Sequence, residues 1–229
     1  RYTHPTTWRS IWQIVNSLIP FIAIWIGMVY SLRVGYWLTL LLSIPAAGFM
    51  VRLFIIFHDC CHGSFFSSSK ANTITGSLIG LIVFTPFEQW QREHAIHHAS
   101  AGNLDRRGVG DVPTITVREY ISMPWYKRFG YRILRNPLIL FTIGSFIEFV
   151  FLHRLASTVS GTREKRSIVW TNVMLAAIII VLGQTVGWGA FLLIEIPILL
   201  IACSAGVWMF YVQHNFDGTY WERQSLSLI

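Results

Sequence analysis

Four apolar runs, each about as long as a bilayer core is thick, limit what this chain can fold into. They cover about 11–31 (IWQIVNSLIPFIAIWIGMVYS), 36–57 (YWLTLLLSIPAAGFMVRLFIIF), 168–186 (IVWTNVMLAAIIIVLGQTV) and 188–212 (WGAFLLIEIPILLIACSAGVWMFYV). Roughly 20 apolar residues cross the hydrocarbon core as a helix. Only helices and closed barrels satisfy every backbone N–H and C=O there. The expectation is an all-α integral membrane protein, with four transmembrane helices in two hairpins. Composition agrees: 53% of residues are hydrophobic and 13% charged, where soluble domains carry roughly 25% charged. Pro20, Pro45 and Pro197 fall inside three of the runs, where membrane helices tolerate them as kinks.

Two shorter apolar stretches, 74–87 and 137–152, are expected as helices lying in or dipping into the interface. No repeat or low-complexity linker divides the chain, so 1–229 reads as one domain, with 58–167 as a cytoplasmic and interfacial helical cap. The turns near 31–35 and 183–187 carry one positive charge, Arg33, while Lys127, Arg128, Arg132, Arg135 and the run REKR at 163–166 lie on the other side. The excess of Lys and Arg places that side in the cytoplasm. The net charge of +7 points to anionic lipid headgroups. With no basic stripe or recognition motif, nucleic acid is excluded as a partner. Cys60, Cys61 and Cys203 form no CxxC pair and suggest no disulfide framework.

The second run ends in FIIFHDCCHGSFF, residues 54–66. If its helix continues, His58 and His62 are i and i+4 and share a face. HAIHH places His94, His97 and His98 at i, i+3 and i+4, again on one helical side. His214 ends the fourth run. All six therefore gather on the cytoplasmic side at one depth. Neutral imidazole is the commonest biological metal ligand. Five clustered imidazoles exceed what one tetrahedral zinc requires, and a set this rich in nitrogen suits two transition-metal ions, iron being the natural candidate. Asp59 is expected to hold an imidazole N–H from behind, and Cys60 and Cys61 to pack. Asp105, Arg106, Arg107 and Asp111 read either as a solvated loop or as ion-pair braces of the site. Trp90 and Tyr120 read as interfacial anchors. Phe65, Phe66, Ile96 and Trp208 are expected to line an acyl-chain tunnel.

HDCCHGSFF, HAIHHASAGNLDRRGVGD and FYVQHNFDGTYWE resemble the membrane fatty acid desaturases, and within them the bacterial acyl-lipid group of delta-12 (omega-6) and delta-5 type. The resemblance runs from about Pro5 to Trp221. It implies four membrane helices with a cytoplasmic cap, around a histidine-ligated diiron centre that uses O2 to remove two hydrogens from the acyl chain of a membrane lipid. It implies His58 and His62 as the first box of ligands, His94, His97 and His98 as the second, and His214 as the histidine preceding the third. It implies an external electron donor, ferredoxin or cytochrome b5, and a bacterial inner-membrane protein with its active site facing the cytoplasm. Family members carry a third box, HxxHH, further on; the last residues here, RQSLSLI, hold no histidine. The chain therefore reads as truncated at its C-terminus, and the 229-residue chain alone is expected to be inactive.

Unactivated methylene C–H bonds are too strong for acid–base attack by side chains, so the hard step belongs to a redox cofactor. Two other outcomes remain open for the same histidines: a related diiron hydroxylase or ketolase acting on a lipid or carotenoid, and a truncated non-catalytic membrane protein. A haem electron carrier would need single histidines facing each other from separate helices, which clustered boxes do not provide.

Overall fold

The fold is described from a computed structural model, which covers residues 5–214 and 221–223; of His214 only the backbone is described. Helix α1 (Thr7–Ser31) and helix α2 (Tyr36–Cys61) form the first hairpin. The buried hydroxyls of Ser31 and Thr39, 2.7 Å apart, join the two helices at its turn. In α1 the buried residues Ser10, Ser17, Phe21, Met28 and Ser31 form one narrow stripe, while Ile19, Ile22, Ile26 and Tyr30 stand exposed. A helix apolar all round with only one covered stripe suits lipid on its other sides. Helix α2 is the hub. Ala46, Ala47, Met50, Leu53, Ile56 and Phe57 are buried along it, and it packs against α1 and against two helices introduced next, α3 and α10.

Helices α3 (Ser69–Ile82) and α4 (Phe87–Ser100) lie at the histidine end of α2. A tight turn joins them. Thr85 N–H donates to the Gly80 carbonyl at 2.8 Å, and Phe84 adopts a left-handed φ of 58°, rare for a bulky residue. The turn delivers Phe87 into a buried edge-on contact with Phe57, which fixes where α4 starts. Short helices α5 (Val117–Ser122) and α6 (Trp125–Leu134) follow. Next comes a broken segment: α7 (Pro137–Ile139), a π-helical turn (Leu140–Gly144), α8 (Ser145–Val150) and a 3₁₀ turn (Leu152–Arg154). Helices α9 (Thr162–Val186) and α10 (Trp188–His214) make the second hairpin. The N-terminal end of α9 docks on α4 through ion pairs Arg163–Glu88 and Arg92–Glu164.

The all-α membrane architecture is as expected, with one difference. Among the described residues, five helices and not four are long and apolar enough to cross a membrane, the additional one being Pro137–Arg154. Its flanks sit on one side of the fold. Arg135 reaches Tyr211 at the end of α10, and Ser157, three residues past Arg154, accepts a hydrogen bond from Gln89 of α4. The helices are also longer than the apolar runs. α9 begins at Thr162, just ahead of the basic run 163–166, and α2 continues to Cys61.

Candidate metal centre

The continuation of α2 past Phe57 puts His58 and His62 one turn apart at its end, with ring centroids 4.5 Å apart. On α4, His94 and His98 do the same at 4.4 Å. Gln91 of α4 donates to the Cys61 carbonyl at 2.8 Å, which satisfies an orphan acceptor of the α2 terminus and sets the register of the two histidine pairs. The four rings meet nitrogen to nitrogen. His94 Nε2 lies 3.1 Å from His58 Nε2, 3.0 Å from His62 Nε2 and 2.9 Å from His98 Nε2. All four ligand nitrogens lie within 4.8 Å of one another.

This is not a hydrogen-bonding arrangement. A neutral imidazole nitrogen offers one N–H or one lone pair, so His94 Nε2 can complete one bond among its three neighbours. His58, His62, His94 and His98 could each turn a lone pair to a cation held between them. Nitrogens bound to one ion at about 2.0–2.1 Å stand about 3 Å apart when adjacent, the spacing seen here. Protonation also favours ligation. Burial, then the neighbouring His58, His98, His62 and His97, pull the His94 imidazole down to about 3. Burial, then His58, lowers His62. Both are neutral at pH 7, the state that binds metal.

His97 takes a different position from the four. Its Nδ1 lies 2.6 Å from Asp111 Oδ1, and both side chains are almost fully buried. Its ring packs on Phe210 of α10 and stands 5.7 Å from that of His98. The carboxylate holds the proton on Nδ1 and so leaves the lone pair on Nε2. Asp111 reaches this position because Gly110, at φ +70°, runs so close that a Cβ there would lie 3.2 Å from His97 Cβ. The His214 side chain lies outside the described residues.

Of the loop after α4, Asp111 braces the site through His97, while Arg107 and Asp105 pair away from the four converging histidines and Arg106 is exposed. Besides Asp111, Arg107 pairs with Glu119 at 2.5 Å and Asp105 with Arg223 at 3.4 Å. The tail returns to this loop, with Glu222 N–H donating to the Gly102 carbonyl at 2.9 Å. Asp59 is a weaker partner than expected, 3.4 Å from His58 Nδ1. Cys60 and Cys61 are buried in the core, as packing residues should be. Trp90 departs from its expected role as an interfacial anchor. Its indole stacks on His94 at 4.1 Å and meets His58, Phe57 and Phe54 edge-on. Its position one turn before His94 carried that signal.

Beneath Trp90, towards the membrane, lies an apolar cleft walled by residues including Met50, Phe54, Phe84, Phe149, Leu199 and Cys203. Phe54 is the link, edge-on to both Trp90 and Phe149. None of Phe65, Phe66, Ile96 and Trp208, the expected tunnel residues, lines it. Phe65 is buried, and Trp208 is exposed on α10.

The family model for fatty acid desaturases matches residues 35–227. This chain belongs to the fatty acid desaturase family. A fatty acid desaturase of Bacillus subtilis (strain 168) is 42% identical over 221 residues, which are 96% of this chain and 63% of that protein. The sn-1 acyl-lipid omega-3 desaturase (ferredoxin) of Synechocystis sp. is 34% identical over 92 residues, 39% of this chain and 25% of that desaturase. The chloroplastic sn-2 acyl-lipid omega-3 desaturase (ferredoxin) of Helianthus annuus is 29% identical over 122 residues, 52% of this chain and 27% of the relative. The chain spans less than two thirds of the length of each of these desaturases.

Proposed function

We propose that this desaturase-family chain introduces a double bond into an acyl chain of a membrane lipid at a diiron centre, with His58, His62, His94, His97, His98 and His214 among the ligands. The convergence of four Nε2 atoms, unsatisfiable by hydrogen bonding, supports a metal position here; the second iron rests on membership of the desaturase family. When bound, two irons would activate O2, which takes two electrons from the C–H bonds and two from a donor and ends as water. The protein's part is placement. Asp111 keeps His97 in one tautomer, and Trp90 holds the His94 ring from its face. The cleft beyond Phe54 measures about 30 Å³ and has apolar walls that favour methylenes over water; it would have to widen to take an acyl chain. The donor is a ferredoxin-type protein, or cytochrome b5, approaching from the cytoplasm. The membrane is the bacterial inner membrane, with the histidine end of the fold facing the cytoplasm.

The test is lipid analysis by mass spectrometry of bacteria expressing, with a ferredoxin, the wild type of this test: the chain extended through an HxxHH segment, since the 229 residues alone are expected to leave lipids saturated. New double bonds are expected, and His94→Ala should abolish them while the protein still inserts. Saturated lipids from the wild type, or hydroxylated products instead, would overturn the reading. Orientation is checked with single cysteines placed at Thr185 and Arg106, which lie at opposite ends of the fold and are both exposed. An impermeant thiol reagent added outside should label the first and not the second.

A further inference from the structure

We propose that a second pocket, walled by Thr116, Tyr120, Tyr131, Arg132 and Arg135, binds the phosphate of a phospholipid headgroup. The proposal stands apart from the reading of the histidine centre: a lipid can be held here whether or not its own chain reacts. The pocket measures about 410 Å³, within the usual size of ligand sites, roughly 300–1,000 Å³.

Its wall is cationic. Arg132 Nε donates to the Tyr120 hydroxyl at 2.5 Å, and its guanidinium sits over that ring. Arg135 Nη2 reaches the Tyr211 hydroxyl at 3.5 Å, with its guanidinium over the Tyr211 ring. Arg135 Nη1 is buried and has no hydrogen-bond partner among the described residues. A buried donor left unmatched is costly, so turning the Arg135 guanidinium towards the pocket would break no hydrogen bond at Nη1, and a phosphate oxygen is the acceptor a guanidinium fork fits best. The carboxylate of α5, Glu119, does not compensate this charge, because Arg107 and Thr116 occupy it.

The setting selects a lipid over a free anion. At 100° per residue, Trp125, Phe129, Ile133 and Tyr126 fall on one face of α6, and Lys127, Arg128, Arg132 and Arg135 on the other. The apolar face is exposed. Such a helix lies in the plane of the membrane, with its basic face at headgroup level. The rim residue Val117 is exposed and apolar as well, a surface for the first methylenes of the same lipid.

The experiment titrates the purified full-length protein with fluorescent short-chain phosphatidylglycerol, and with a galactosyl diacylglycerol that lacks phosphate. Arg135→Gln and Arg132→Gln should each weaken phosphatidylglycerol binding roughly tenfold or more, the scale of a lost charge-assisted hydrogen bond. Lys127→Gln, on the same basic face but outside the pocket, should cost less than about fivefold. The galactolipid should be insensitive to all three variants, and inorganic phosphate should not displace the lipid. Arg132 is exposed, so its variant carries the test if Arg135→Gln does not fold. Equal losses from all three variants would mean diffuse charge attraction. Equal sensitivity of the galactolipid would mean apolar contact, and ready displacement by phosphate would mean a free-anion site. Each of these results overturns the proposal.

Discussion

Asp111 Oδ1 and His97 Nδ1 stand 2.6 Å apart, with both side chains almost completely buried. The pair lies beside the four converging imidazoles but is built from a loop, through the left-handed Gly110. Asp111→Asn keeps the shape and removes the charge. The variant should bind iron about 10–100-fold more weakly, with unchanged helicity by circular dichroism. Iron content after dialysis against a graded chelator measures it. Wild-type retention would show that Asp111 does not act on the centre.

Trp90 supports His94 by stacking and fills the space between Phe54 and Phe57. Trp90→Ala should destabilise the protein by about 3 kcal/mol, read as a lower melting temperature in detergent. Iron content should fall with it, because the His94 ring loses its backing. Trp90→Phe keeps an aromatic face and should lose less of both.

Gly80 is required by close approach. A Cβ there would lie 2.5 Å from the Thr85 carbonyl oxygen and 3.3 Å from the Phe57 ring. Gly80→Ala should therefore cost about 1–3 kcal/mol and disturb the turn that launches α4. Gly27, with open space around it, is the control. Gly27→Ala should be neutral or slightly stabilising, since Ala favours helix by up to about 1 kcal/mol.

Glu119 closes a capping box with Thr116 at the start of α5. The Arg107 hydrogen bond, then those from Thr116, lower its carboxyl to about 2. A depressed carboxyl stabilises the fold fully above its unfolded value, near 4.5, and the contribution fades as pH falls towards 2. Amide exchange at Thr116 and Glu119 should be slow at pH 6 and accelerate, beyond the intrinsic pH trend, between about pH 4.5 and 2. Glu119→Gln should remove that dependence.

The parts of the fold legible in the sequence are those written in local periodicity. The apolar runs gave the long helices, and the i, i+4 spacing of His58 with His62, and of His94 with His98, gave two ring pairs that the structure brings together. The same periodicity explains why His97 turns elsewhere: it sits 100° around the helix from His98 and meets Asp111 and Phe210 instead. The cleft was not legible, because Phe54, Phe84 and Phe149 come from three separate elements. Nor was the docking of α9 on α4, which depends on charges such as Arg163 and Glu88 that are distant in sequence. Pro137–Arg154 has the length and composition of a span. Its π-helical turn and the return of Ser157 to Gln89 are tertiary features with no local signature.

His62 and His94, whose Nε2 atoms touch, are 32 positions apart in the chain. An ion gripped by both ties a knot in the polypeptide as a disulfide would, and restricts the unfolded chain more than the native one. Everything between them, α3 and the left-handed turn at Phe84 included, is enclosed by that tie. Loading the centre should thus slow proteolysis within the enclosed segment, so that, on the function proposed above, the supply of metal would set the lifetime of the protein as well as its activity.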